Sequence, residues 1–251
     1  MEHNCLNCKY QIIDHYCQNC GQKSSTHRYS IKHFVEHDFV HGVWHVDKGM
    51  LFTIKELFTR PGNSIREFIQ GKRINYFSFV TLILLILTAS SLLTPYIHFK
   101  LSDLMPHNSK AAMNSFEEFA IKYPKVLVVV TIPINSLFSF IWFRKAKLNY
   151  SENLVLNSYK AASELIIALL FTVFAIFCSN IKTLTFVYFS LIMPLIYAYG
   201  IWCYFQFYSV YGYSKKALLF RSILVILSYS LFQVVVGFAW GLVQALQHKT
   251  F

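Results

Sequence analysis

Charge is what this sequence has least of. Only 14% of its 251 residues are Asp, Glu, Lys or Arg, against roughly 25% in an ordinary soluble domain. Fully 55% are hydrophobic, and mean hydropathy is +0.42. That balance argues against a soluble globule and excludes a long disordered chain, which needs high charge and few apolar side chains. Acids are scarcer still, 12 against 23 bases, for a net charge of +11. Such a surplus suits nucleic acid, an anionic membrane surface, or membrane topology. Position decides for topology: ten of the 23 bases precede residue 77 and the rest mostly flank apolar runs. Six cysteines are too few for a disulfide scaffold. The G-x-S-x-G, P-loop, Rossmann and H-E-x-x-H motifs are all missing, so the soluble enzyme classes they mark have no foothold.

Four of the six cysteines stand together, in CLNCKYQIIDHYCQNCG, as Cys5, Cys8, Cys17 and Cys20. Two C-x-x-C knuckles eight residues apart match one tetrahedral Zn²⁺, and Gly21 lets the second knuckle turn without a Cβ clash. A segment this short buries too little surface to fold alone, so the metal would supply the folding free energy. A rubredoxin-like iron site uses the same ligands, and a redox C-x-x-C usually sits beside a βαβ pattern; zinc is the favoured reading. Only Lys9, Lys23 and Arg28 lie nearby, which disfavours nucleic acid. A ribbon over residues 1–24 that docks a protein partner is the expectation.

Residues 25–76 read as amphipathic and interfacial helices. A helix is expected from Ser30, with His33, His37, His41 and His45 in i, i+4 register and Asp38 and Asp47 close to the row. At 100° per residue the histidines form a slanted stripe able to hold a second metal or to sit in a polar network against headgroups or a partner helix. Met50, Leu51, Ile54, Leu57 and Phe58 then make the apolar stripe of a short helix that Pro61-Gly62 stops. A second short helix, capped by Asn63 or Ser64, buries Ile65, Phe68 and Ile69 and ends at Gly71. Together they read as a basic elbow lying in the membrane interface.

The knuckles, the HDFVHGVWHVDKG segment, the RPG turn at Arg60 to Gly62, the REFIQGKR block at Arg66 to Arg73 and the apolar runs beyond it resemble the bacterial integral-membrane family catalogued as domain of unknown function 3667. The resemblance covers roughly the first 80 residues by motif and implies a zinc ribbon and membrane location. It brings no catalytic residue.

Taking about 20 apolar residues as the spanning length, residues 77–251 hold five candidate transmembrane helices: 77–97, 126–143, 159–178, 184–208 and 221–245. The fold class is therefore an all-α multispan membrane protein with a small zinc ribbon and juxtamembrane helices. Met1-Glu2 leads straight into the knuckles, so the run from residue 77 is expected to be the insertion signal. With the N-terminus inside, 17 bases fall on the cytoplasmic side and 6 on the other. That asymmetry predicts a cytoplasmic N-terminus and an external C-terminus, and the expected location is the inner (plasma) membrane. The third span is diluted by Asn157, Lys160, Ser163 and Glu164. Lys160 and Glu164, at i, i+4, form either an ion pair or an intramembrane polar site, with Lys160 close enough to the edge to snorkel. Of the tyrosines around the fourth span, Tyr204, Tyr208, Tyr211 and Tyr213 fit an interfacial belt, and Tyr188, Tyr197 and Tyr199 an inner crevice. Cys178 and Cys203 read as packing residues.

Three functions stay open on this pattern: a non-enzymatic membrane protein whose ribbon serves assembly, docking or regulation, which is preferred; a small-molecule, lipid or ion transporter acting as a homo-oligomer; and a metal-dependent membrane enzyme using the histidine row.

Overall fold

The computed structural model describes residues 3–26, 49–99, 101–104, 116 and 118–247. The histidine row at His33, His37, His41 and His45, with Asp38 and Asp47, lies outside the described residues.

The ribbon is a two-stranded antiparallel hairpin. Strand β1 (His3–Asn4) pairs with β2 (Gln11–Ile12), His3 opposite Ile12, and a bridge joins Tyr16 to Lys23. Its interior is the cysteines and Ile12. Helices α1 (Gly49–Thr59) and α2 (Pro61–Ile69) follow as a tight pair. Then come α3 (Phe79–Leu93), α4 (Pro124–Trp142), α5 (Tyr150–Phe177), α6 (Ile181–Val187), α7 (Met193–Tyr208) and α8 (Lys215–Gln247). Five of these segments are long and apolar enough to cross a bilayer: Phe79–Tyr96, Pro124–Trp142, Tyr150–Phe177, Ile181–Tyr208 and Lys215–Val243. The chain is an all-α multispan membrane protein with an N-terminal cysteine cluster.

Three spans start three or more residues earlier than the sequence reading has them, the fifth at Lys215 against an expected 221. The third span was expected from residue 159, yet α5 starts at Tyr150 and runs 28 residues. A capping box starts it there: the Asn149 side chain accepts from the Glu152 N–H, and the Glu152 carboxylate accepts from the Asn149 N–H. The fourth span is α6 and α7 joined through a π-helical turn at Tyr188–Ile192, placed just before Pro194. A π turn absorbs the ladder bond that proline cannot donate, so the two pieces stay one rod.

The bundle has a basic end and an opposite end. Lys145 donates to the Gly212 carbonyl at 3.0 Å and Arg221 to that of Trp142, which ties the α4–α5 turn to the α7–α8 turn. Helices α1 and α2 are at this end too, because Arg66 donates to the Gln206 and Phe207 carbonyls at the C-terminus of α7. The apolar face of the elbow packs into the core of the bundle. Leu57, Ile65, Phe68 and Ile69 are buried with Phe79, Tyr159 and Tyr199, whereas Leu51, expected on the apolar stripe, is 73% exposed. The reason lies in Thr53 and Glu56, which turn the buried face of α1 toward polar partners. Thr53 accepts the Phe77 N–H at 2.7 Å, and Ser64 donates to Glu56 at 2.7 Å. Pro61 occupies the first turn of α2, where a missing N–H costs nothing, so Asn63 and Ser64 sit inside the helix and not at its cap. A Cβ on Gly62 would come within 2.1 Å of the Phe207 backbone nitrogen. Only glycine lets α2 approach α7 this closely.

Candidate metal centre and a buried polar network

The two knuckles are built alike. The Cys5 N–H donates to the Tyr10 carbonyl and the Lys9 N–H to the Cys5 carbonyl; in the second knuckle Cys17 donates to Gln22 and Gly21 to Cys17 at the same offsets. Each turn needs a left-handed residue directly after its second cysteine. Gly21, with φ of +75°, supplies one and Lys9, at +65°, the other. The sequence reading found the first by residue type and missed the second, because lysine does not announce such a conformation. The repeat converges the thiols: all four Sγ atoms lie within 4.8 Å of one another, Cys5 to Cys20 at 3.6 Å and Cys8 to Cys17 at 3.5 Å. A four-coordinate ion with metal–sulfur bonds of about 2.3 Å needs sulfur–sulfur edges of about 3.8 Å, so the donor set fits a metal ion. The bond to the Tyr10 backbone holds the Cys8 thiol down at about 6, below its usual range, which favours the ligating thiolate.

The ribbon is seated on the elbow. Gly71, at φ +105°, faces the Leu6 side chain, whose Cδ1 lies 2.5 Å from where a Cβ would be, and the Arg73 N–H donates to the buried Gln22 side chain at 3.3 Å. Beside this seam, Glu67 gathers cations. Arg60 grips it with a two-pronged fork at 3.1 and 3.2 Å and also pairs with Glu56, while Lys72 lies at 3.5 Å. Burial pushes the Glu67 carboxyl up, but Arg60 and Lys72 outweigh it and hold it below its ordinary value. Burial also raises the Tyr76 phenol, which donates to Glu67, to about 12.

Within the bundle, α5 carries its polar side chains on the half nearest the basic end. Asn153 and Asn157, one turn apart, face Tyr204 and Tyr208, also one turn apart, on α7. Tyr204 donates to Asn157 at 2.6 Å and Tyr208 to Asn153. Ser139 of α4 closes the set, donating to Asn153 at 3.1 Å and accepting from Asn157 at 2.9 Å. Further along, Tyr199 donates to Ser163 at 2.8 Å and to the Leu57 carbonyl at 3.0 Å, stitching α7 to α5 and α1. Tyr204 and Tyr208 are therefore wholly buried and do not belong to an interfacial belt. Their signal was in the sequence: N-x-x-x-N and Y-x-x-x-Y share one helical period, and each puts its pair on a single face.

Lys160 and Glu164 continue this network inward. Lys160 donates to Glu164 at 2.6 Å, lies 5.7 Å from the centre of the Tyr204 ring, and is 2% exposed, so it does not snorkel. Gly200 of α7 makes room for Ile226 of α8, whose Cδ1 would lie 2.9 Å from an added Cβ, and the Glu164 carboxylate lies close by. Cys203 is buried among the core residues, and Cys178 caps the far end of α5.

Residues 47–90 match the model of a family described as protein of unknown function (DUF3667). The matched segment carries α1, α2 and nearly all of α3, hence Gly62, the Arg60–Glu67 fork and the Gly71 seat of the ribbon. No curated protein and no solved structure matches the chain.

Proposed function

We propose that this protein is a non-enzymatic membrane adaptor whose cytoplasmic ribbon, held by one Zn²⁺ on Cys5, Cys8, Cys17 and Cys20, docks a protein partner and fixes it to the membrane bundle. The observation that carries the reading is the outer face of the ribbon. The stretch between the knuckles presents Tyr10, Ile13 and Tyr16 to solvent, with Ile13 77% exposed, on a module whose own core is only Ile12 and the cysteines. Large aromatic and aliphatic side chains held on a rigid turn are the anchors that protein interfaces use. Leu6 and Gln22 seat the ribbon on Gly71 and Arg73, so a bound partner would be held against the bundle.

Zinc is favoured by four thiolates in a tetrahedral set, and a reducing compartment keeps such thiols free. The cytoplasmic orientation is supported by Arg144, Lys145, Lys147, Lys215 and Lys216, all exposed, which cluster at the end where the elbow sits. A photo-crosslinking residue at Ile13 in the full-length protein, irradiated in native membranes, tests the reading. A discrete protein adduct that disappears with Cys17→Ser and with Tyr10→Asp is expected. Adducts to lipid alone, or a protein adduct indifferent to both changes, would overturn it.

A further inference from the structure

Helices α3 and α4 each pack on α5 but leave a gap between themselves, and this gap is a groove open toward the surroundings of the bundle. One part has a volume of about 440 Å³, with Val80, Leu84 and Leu87 on one wall, Val128, Val129 and Ile132 on the other, and Leu154 at the floor. Its size falls within the roughly 300–1,000 Å³ of sites that hold small molecules. Along α3 it runs from Phe79 to Leu87, about 12 Å at 1.5 Å per residue, close to the depth of one leaflet's hydrocarbon.

The chemistry changes along its length. Lys125, exposed and without an acidic partner among the described residues, stands at the rim of the apolar part, at the start of α4. Beyond it a second hollow, which shares Leu87 with the first, sets the hydroxyl side chains Ser90, Ser91 and Thr94 among apolar neighbours that include Pro95, Phe116, Ile121 and Pro124. An apolar trough, then a cation, then a group of hydroxyls is the order in which a phospholipid presents its chain, its phosphate and its polar head. We infer that this groove binds one anionic phospholipid, its acyl chain between α3 and α4, its phosphate at Lys125 and its head among Ser90, Ser91 and Thr94. A trough with these walls has nothing to offer water, and a cation beside it favours an anion over a neutral head.

The test uses the full-length protein in nanodiscs containing a trace of phosphatidylglycerol with a diazirine at mid-chain, followed by peptide mapping. Labelling concentrated on peptides holding Leu84 and Val129 is expected. Lys125→Gln should lower it by about tenfold toward the level of a phosphatidylcholine probe, and Val129→Trp, which fills the trough, should remove it. Lys125→Gln leaves packing unchanged, so a folding defect in the Val129→Trp variant leaves Lys125→Gln to decide. Equal labelling of the exposed faces around Phe186 and Leu231, or labelling unchanged by Lys125→Gln, would overturn the assignment. Preference for a diazirine fatty acid over the phospholipid would also overturn it.

Discussion

The ribbon and the basic end of the bundle are both assembled from a short motif used twice, and they fail in opposite ways. In the ribbon, two C-x-x-C turns aim four thiols at one point and little else is buried. At the basic end, two i, i+4 pairs, Asn153 with Asn157 and Tyr204 with Tyr208, satisfy each other inside a large apolar core. The first arrangement suits an ion at its centre; the second is held by its own hydrogen bonds. The lesson is that a repeated polar motif shows which groups will meet, and the surrounding apolar surface decides whether the meeting needs outside help.

The comparison can be broken most severely at the metal. Cys17→Ser should abolish metal binding and unfold the ribbon, whose apparent metal-driven free energy is about 10–16 kcal/mol in comparable modules, while all five spans still insert. Metal analysis with protease mapping checks both halves of that statement. Next is Lys160→Met, which leaves the partly buried Glu164 carboxylate unpaired and should cost about 1–3 kcal/mol in detergent unfolding. The double change Lys160→Met with Glu164→Leu should recover most of the loss, and a double variant as unstable as the single would contradict the pairing.

Smaller effects sharpen the contrast. Gly62→Ala pushes a Cβ into the α7 backbone and should cost about 1–3 kcal/mol by overpacking. Gly237→Ala, where an added Cβ meets nothing within 4 Å, should cost none of it. The smallest expected change is a gain: Lys9→Gly relieves a left-handed non-glycine residue in the first knuckle and should tighten apparent metal affinity by about fivefold. Competition with a chromophoric chelator reads that change directly.

Legibility followed the same division. Cysteine spacing names its ligands because a tetrahedral site tolerates few geometries, and span number follows from length because a bilayer has one thickness. Amphipathicity could not say what α1 and α2 face: a membrane interface and a protein core ask for the same apolar stripe, and Gly62 was read only as part of a helix stop. Polar residues in the third span read as dilution when each was weighed alone. Asn153, Asn157 and Ser163 are there to meet Tyr208, Tyr204 and Tyr199 respectively, and hydropathy averages remove that periodicity. Lys160 looked able to snorkel because its distance from the helix end was visible and the neighbours that enclose it were not.

The claim at the centre of this account is that the ribbon depends on its ion and the bundle does not, although the two touch at Gly71 and Arg73. Hydrogen–deuterium exchange of the purified full-length protein before and after chelation tests it most directly. The account predicts that residues 3–26 lose protection with the metal, that residues 70–73 loosen modestly as Leu6 and Gln22 leave, and that residues 153–163 and 199–208 keep theirs. Protection retained in the ribbon without metal, or lost across Asn153 to Ser163, would contradict it.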